Sequence, residues 1–122
     1  MKRLGAELIF HGNEFDEARN YAESLSKEEG YEASKITLLN ALANIRLALG
    51  TLDHVKRIVK LTGYVASQDG FVEQPFVING ASDLLVKIFG EAGRHARVAV
   101  GVAELPLGVP VELELIVEVS LP

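Results

Sequence analysis

An arginine and a glutamate near the C-terminal end of the sequence are the residues whose types and spacing best suit a chemical task. Arg97 opens one predicted β-strand, and Glu112 lies near the start of the next, after a loop at Leu105–Pro110. A guanidinium can bind a carboxylate through two N–H groups, and a nearby carboxylate can activate or orient a water. The surrounding residues are mostly apolar, so an unpaired charge among them is costly. A structural ion pair, or the two solvated ends of an edge hairpin, would explain both residues without any function.

The remaining candidates for chemistry are aromatic and histidine side chains. Tyr64 and Phe71 are candidates to line a substrate-binding cleft, and either would equally suit the core. The three histidines (His11, His54 and His95) follow no metal-ligand spacing, so we expect no metal site. Since no nucleotide-binding, zinc-protease or nucleophile-elbow motif occurs, we also expect no cofactor.

The composition is that of one small domain, spanning residues 1–122, with a surplus of apolar residues. Hydrophobic residues make up 48% of the chain, and the mean hydropathy is +0.20. A chain of this length has too little interior for so many valines, leucines and isoleucines. We therefore expect part of them to lie in an interface between identical subunits.

Charge and cysteine content exclude several classes of partner. The net charge is −5, and no run of lysine or arginine exceeds two residues, so a nucleic-acid partner is not expected. No apolar run approaches the ~20 residues that a membrane helix needs, and no signal peptide is visible. The absence of cysteine fits a reducing compartment. The predicted location is the cytoplasm.

Hydrophobic periodicity predicts six elements in the order β–α–β–α–β–β. The predicted strands are Leu4–Phe10, Val55–Ala66, Arg97–Ala103 and Val111–Val119, and the predicted helices are Ser26–Leu49 and Phe71–Phe89. Each helix presents one apolar stripe, which needs a sheet face to cover. We therefore expect an α+β sandwich, with a mixed sheet and two helices on one of its faces.

Two details of these elements are open to direct test. Strict alternation in the second strand places Ile58 on the polar face, opposite an apolar face of Val55, Val59, Leu61 and Val65. The stripe predicted for the second helix is Val77, Ala81, Leu84 and Ile88. Asn79 and Ser82 are interpreted as helix caps rather than site residues.

The C-terminal segment resembles a known protein family. Arg97 through Glu114 follows the pattern R-x-x-V-x-V-A-x-L-P-x-x-x-x-V-E-x-E, which is similar to the signature of the Rid family of enamine/imine deaminases, also called YjgF-like or endoribonuclease L-PSP proteins. A bacterial subgroup of that family is resembled more specifically by three segments: Val59–Val65, Gln74–Val86 (QPFVINGASDLLV) and Gly90–Arg97 (GEAGRHAR).

The resemblance implies a chorismate-mutase-like α+β fold that assembles as a homotrimer with clefts between subunits. It implies that Arg97 binds the carboxylate of a 2-imino acid. It also implies that Glu112 is associated with the water that hydrolyses the C=N bond, giving a 2-oxo acid and ammonia. The N-terminal strand of the family, which places a tyrosine in the cleft, is expected to be missing or shortened here.

Three functions follow as hypotheses. The first is hydrolysis of reactive enamine and imine acids at Arg97 and Glu112. The second is a regulatory or non-catalytic trimer of the same fold that binds a small carboxylate without turnover. The third is a ribonuclease, which the older family name suggests and the acidic composition opposes.

Overall fold

Four strands and two helices build the part of the chain that the computed structural model describes, residues 2–11 and 25–121. The elements are β1 (Lys2–His11), α1 (Lys27–Leu49), β2 (Val55–Ala66), α2 (Gln74–Phe89), β3 (Ala96–Val102) and β4 (Val111–Leu121). The predicted order β–α–β–α–β–β is confirmed. The side chains of β1, including that of His11, lie outside the described residues.

The strands form one mixed sheet in the order β1–β4–β2–β3. Strand β4 runs antiparallel to both β1 and β2, whereas β2 and β3 are parallel and are connected through α2. Because β2 lies between β3 and β4, the two C-terminal strands are not hydrogen-bonded neighbours. The edge-hairpin explanation of Arg97 and Glu112 is therefore wrong.

Helix α1 begins and ends where the sequence predicts. The side chain of Ser26 accepts a hydrogen bond from the backbone N–H of Glu29, and the Glu29 side chain accepts one from the backbone N–H of Ser26, which is a capping box. At the other end Gly50 adopts φ 83°, a left-handed conformation that glycine takes without strain. Its N–H donates to the carbonyl of Arg46.

Strand β4 shows which residues of the sheet face the helices and which lie on the other face, called the open face below because α1 and α2 do not cover it. Its odd-numbered residues are buried against the helices, and its even-numbered residues are half-buried on the other face, as alternation predicts. The buried set is Val111, Leu113, Leu115, Val117 and Val119. Helices α1 and α2 both pack on this face, which confirms the two-helix sandwich.

The predicted apolar face of β2 is wrong at Ile58. This side chain is fully buried, whereas Val59 is half-buried. The pairing of β2 with β4 shifts register between Val55 and Arg57 and again between Ile58 and Lys60. Each irregularity changes which residues face the core, so strict alternation fails in this part of the strand.

The predicted start of α2 is wrong, whereas its predicted stripe is confirmed at Val77 and Ala81 and is wrong at Ile88. The helix begins at Gln74, one residue before Pro75, rather than at Phe71. Its buried side is centred on Ile78 and Leu85, while Ile88 is 43% exposed. The helix is turned toward Ile78 because Gly63 of β2 leaves room there, and a Cβ on Gly63 would collide with the Ile78 side chain.

The two helices cross in close contact where small residues face each other. A Cβ on Gly80 would collide with the backbone carbonyl of Tyr31, and one on Gly30 would lie 2.8 Å from Val77 Cγ2. The hydroxyl of Ser34 donates to the carbonyl of Val77 at 2.6 Å. Gly30 therefore has a packing role that compensates for its low helix propensity.

Two polar contacts join the N-terminal turns of α1 to α2. Lys27 Nζ lies 2.9 Å from Glu73 Oε2, and the hydroxyl of Tyr31 donates to Asp83 Oδ2 at 3.0 Å. The hydrogen bond to Glu73, aided by its charge, raises the pKa of Lys27. The hydrogen bond to Asp83 raises the pKa of Tyr31, because it is lost when the phenol ionises. Neither helix of the described chain is long and apolar enough to cross a membrane.

Candidate functional site

Arg97 lies on β3 and points toward the helix-covered face of the sheet. In the β2–β3 pairing it lies opposite Leu61, which is fully buried under the helices. Its guanidinium is half-buried beside α2, where Nη1 donates to Asn79 Oδ1 at 2.6 Å and to Ser82 Oγ at 3.3 Å. Strand β3 thus places the guanidinium beside α2, and the hydrogen bonds to one face of that helix fix its orientation.

Four side chains form a continuous hydrogen-bonded group, called the Arg97 cluster below: Asn79, Ser82, His95 and Arg97. Ser82 Oγ lies 3.0 Å from His95 Nε2, and His95 Nδ1 is hydrogen-bonded to the carbonyl oxygen of Gly93. The interpretation of Asn79 and Ser82 as helix caps is wrong, because both lie inside α2. Their three-residue spacing, which places both on one helix face, is the signal that could have found them.

The electrostatics of the Arg97 cluster leave a cation without a counter-charge. No carboxylate of residues 25–121 forms an ion pair with Arg97, and both acceptors on Nη1 are neutral. The N–H groups on Nε and Nη2 make no hydrogen bond to any described residue. Since an arginine can only donate, the oxygen of Asn79 must face it. The Asn79 NH₂ group is therefore left to donate to a partner other than Arg97.

Glu112 lies on the opposite side of the sheet from Arg97. It pairs with Tyr64 across β2 and with His11 across β1. Tyr64 and Leu61 are three residues apart in an uninterrupted part of β2, so they project to opposite faces. Glu112 and Tyr64 therefore share the face that α1 and α2 do not cover, and a single chain does not bring Arg97 and Glu112 together.

Phe71 is separate from both groups. With Val65, Pro110 and Val111 it lines a cavity of about 40 Å³ beside the first turn of α1. Neither Arg97 nor Glu112 lines this cavity. The four predicted site residues thus occupy three places: Arg97 under α2, Tyr64 with Glu112 on the open face, and Phe71 at the cavity.

Metal-ligating side chains do not gather anywhere in the described part of the chain. Within it, no group of three or more histidine, aspartate or glutamate side chains could hold a metal ion. The Arg97 cluster contains a single imidazole and no carboxylate, and its cation would repel a metal. The cluster is instead suited to an anion with oxygen acceptors.

The chain is similar in sequence and in fold to several known proteins. TCP17 from Trypanosoma cruzi is 50% identical over 98 residues, which are 80% of this chain and 61% of that protein. The crystal structure of Atu1372 from Agrobacterium tumefaciens, whose function is unknown, shows 45% identity and a TM-score of 0.78, covering 80% of this chain and 62% of that one. This chain therefore spans about three-fifths of the length of either relative.

A third relative covers nearly the whole chain. The crystal structure of a "putative endoribonuclease" from Shewanella oneidensis MR-1 is 31% identical with a TM-score of 0.81, and the match covers 95% of this chain and 81% of that one. A family model described as "YjgF/chorismate mutase-like, putative endoribonuclease" matches residues 8–119. The sequence match to this family and the structural match to the Shewanella protein agree on a fold of two helices on a mixed sheet. The chain therefore belongs to the YjgF/chorismate mutase-like family.

Proposed function

We propose that this chain is a Rid-type deaminase of the YjgF family, which hydrolyses reactive 2-imino and enamine acids to 2-oxo acids and ammonia. The observation that carries the proposal is the orientation of the Arg97 guanidinium. Its Nη1 donates to two neutral acceptors, Asn79 Oδ1 and Ser82 Oγ, and no described residue accepts from Nε or Nη2. A charge fixed in this way is suited to receive a small carboxylate. The reaction needs water and no cofactor, and the proposed location is the cytoplasm.

Binding of the substrate carboxylate follows from the free donors of the Arg97 cluster. The Nε and Nη2 edge of Arg97 matches the two oxygens of a carboxylate, which favours a bidentate pair. Asn79, whose oxygen accepts from Nη1, holds the guanidinium from the side opposite to that edge and leaves it open for the ligand. Half-burial of the cluster strengthens these bonds relative to those at a fully solvated surface.

The water-activating group must come from another copy of the chain. Within one chain Glu112 projects from the opposite face of the sheet, so a neighbouring protomer is needed to bring its Glu112 to this Arg97. The open face is suited to such a contact, because Val98 and Val100 of the edge strand β3 are 43% and 38% exposed there. The proposed assembly is a homotrimer with the site in each seam.

The chemistry then requires one carboxylate and one water. Glu112 takes a proton from the water as the water oxygen bonds to the imine carbon, the C=N π pair moves to the nitrogen, and the nitrogen receives that proton to give a carbinolamine. Glu112 then takes the carbinolamine hydroxyl proton and passes it to the nitrogen, the C–N bond breaks, ammonia leaves, and the oxygen lone pair forms the carbonyl of the 2-oxo acid. Tyr64, which lies beside Glu112 on the same face, would contact the substrate next to the reacting carbon.

Binding without turnover is the second candidate, and one observation favours it. The Arg97 cluster is complete within a single chain, so a carboxylate can bind there without any contribution from Glu112. A ribonuclease is not favoured by the described residues, since the net charge of −5 and the lack of a basic stripe oppose contact with a phosphate backbone.

Turnover in a coupled assay tests the proposal. Threonine dehydratase and threonine supply the enamine and imine intermediates, and semicarbazide traps the imine that escapes hydrolysis. We expect the wild-type protein to accelerate release of 2-oxobutanoate. The Arg97→Ala variant should lose about 100-fold or more in kcat/KM, because two charge-assisted hydrogen bonds are removed.

A neighbouring arginine gives a matched control for this assay. Arg94 is exposed and pairs with Glu91 at 3.2 Å, away from the cluster. The Arg94→Ala variant should keep wild-type turnover. Carboxylate binding that disappears in Arg97→Ala, combined with no turnover by any variant or by the wild type, would support the non-catalytic candidate and contradict the deaminase.

A further inference from the structure

The hydrogen bonds of His95 determine which of its ring nitrogens carries the proton. The carbonyl oxygen of Gly93, which is bonded to Nδ1, can only accept. The proton of the neutral ring therefore lies on Nδ1, and Nε2 is an acceptor. This assignment rests on the partners of the ring, since hydrogen positions are inferred from the network.

The direction of the Ser82 hydroxyl follows from the same assignment. Its single hydrogen donates to His95 Nε2 at 3.0 Å, because no other described residue accepts it. The lone pairs of Ser82 Oγ are then turned toward Arg97, whose Nη1 lies 3.3 Å away. If the hydroxyl pointed the other way, its hydrogen would meet the N–H of the cation.

We propose that His95 is a positioning residue, which acts through the Ser82 hydroxyl to hold the Arg97 guanidinium in the orientation that receives a carboxylate. His95 touches neither the proposed ligand nor the water. Its effect on substrate rests on the proposed function, whereas its effect on the hydroxyl does not. The alternative is that His95 only anchors the turn Gly90–Gly93 to the start of β3.

Two substitutions at His95 separate these roles. In His95→Asn the side-chain NH₂ can replace Nδ1 and keep the bond to the Gly93 carbonyl, but the side chain is too short to reach Ser82. In His95→Gln the amide oxygen can take the place of Nε2 and accept the Ser82 hydroxyl. We expect His95→Asn to raise KM about threefold to tenfold with little change in kcat, which corresponds to one hydrogen bond lost from the binding site. His95→Gln should stay near wild type.

A double-mutant cycle tests whether the effect passes through Ser82. Ser82→Ala should raise KM at least as much as His95→Asn, and the double variant should be no worse than Ser82→Ala alone. Additive effects, or equal impairment of His95→Asn and His95→Gln, would overturn the positioning role. His54→Asn is the matched control, because His54 lies in the turn between α1 and β2, outside the cluster.

A spectroscopic measurement on the unmodified protein keeps the inference testable if a variant does not fold. In mildly alkaline solution, the ¹⁵N chemical shifts of the His95 ring should show a protonated Nδ1 and a bare Nε2. The signals that are missing from the His95→Gln spectrum belong to His95. If that variant does not fold, the spectra of His11→Gln and His54→Gln identify the signals of His11 and His54, and the remaining ring signals belong to His95. An Nε2–H ring would overturn the inference. If Arg97→Ala leaves turnover unchanged while Nδ1 is protonated, the proposed function fails and the hydrogen-bond assignment stands.

Discussion

The two faces of the sheet differ in how completely the candidate site residues on each are held in place within a single chain. On the helix-covered face, α2 and β3 fix every member of the Arg97 cluster through hydrogen bonds of 2.6 to 3.3 Å. On the open face, Glu112 and Tyr64 are paired across β4 and β2, and neither α1 nor α2 covers them. One copy of the chain therefore suffices to preorganise the proposed carboxylate site, whereas the proposed hydrolysis would need Glu112 from a second copy.

The sharpest test of this difference mixes two inactive variants. Arg97→Ala lacks the carboxylate anchor, and Glu112→Gln lacks the group that accepts a proton from water. If each site combines the two faces of different protomers, mixed trimers should regain roughly a quarter of wild-type turnover, since random mixing leaves each residue intact at half of the seams. Turnover of denatured, mixed and refolded protein measures it.

The control for this test is each variant taken through the same refolding alone, which should stay inactive. Failure of the mixture to regain any activity, in samples that light scattering shows to be mixed oligomers of the expected mass, would place both residues in the site of one chain or remove Glu112 from the chemistry.

A smaller effect is expected from damage confined to the helix-covered side. In Gly80→Ala the new methyl group collides with the carbonyl of Tyr31 at the crossing of α1 and α2. The free energy of unfolding should fall by about 1–3 kcal/mol, as for other overpacked contacts. Urea denaturation measures the change, and Asn44→Ala, on the exposed side of α1, should change the free energy of unfolding far less.

The Gly80→Ala variant also separates the two faces. Because Gly80 follows Asn79 directly, displacement of α2 should weaken carboxylate binding at the Arg97 cluster. The β2–β4 pairing that places Glu112 should persist, which hydrogen exchange of those strand amides would report. Equal loss of protection in α2 and in β4 would contradict an independent open face.

The smallest effect concerns the two polar contacts that Lys27 and Tyr31, near the start of α1, make with Glu73 and Asp83. The pKa values of Lys27 and Tyr31 are both raised above their ordinary values of 10.5 and 10.0 by their hydrogen bonds to Glu73 and Asp83. A raised pKa means that the folded state holds the proton more tightly, so the stabilisation is complete below the ordinary value and is lost as pH rises through the raised one. Both side chains are only partly buried, so the loss should be shallow.

Thermal unfolding measured from neutral to strongly alkaline pH checks this expectation. The midpoint should begin to fall above about pH 10. Tyr31→Phe keeps the ring contact with Phe76, whose centroid is 5.6 Å away, while it removes the titrating hydroxyl. Its curve should be flatter than that of the wild type. If the Tyr31→Phe and Lys27→Met variants both lose stability as steeply as the wild type at alkaline pH, other groups cause the loss.

Local signals in the sequence predict the elements well, because each depends on neighbouring residues. The capping box at Ser26 and Glu29, the glycine after α1 and the alternation of β4 all act within a few residues of where they are read. The position of Ile58 could not be read in this way. Its burial depends on register shifts against β4, which lies more than fifty residues further along the chain.

The candidate site is predictable only in its charged members. Arg97 and Glu112 are candidates because charges are rare in apolar strands, but their register against β2 decides which face each one occupies. Asn79 and Ser82 could not be predicted as site residues, because a neutral polar residue on a helix has many ordinary explanations. Their role depends on a contact with β3 that the spacing within α2 does not reveal.

Strand β2 lies between β3, which carries Arg97, and β4, which carries Glu112. In the proposed homotrimer, dilution that separates the subunits would stop the proposed hydrolysis, while each separate chain would keep its Arg97 cluster intact. The proposed activity, unlike carboxylate binding, would therefore depend on the concentration of the protein.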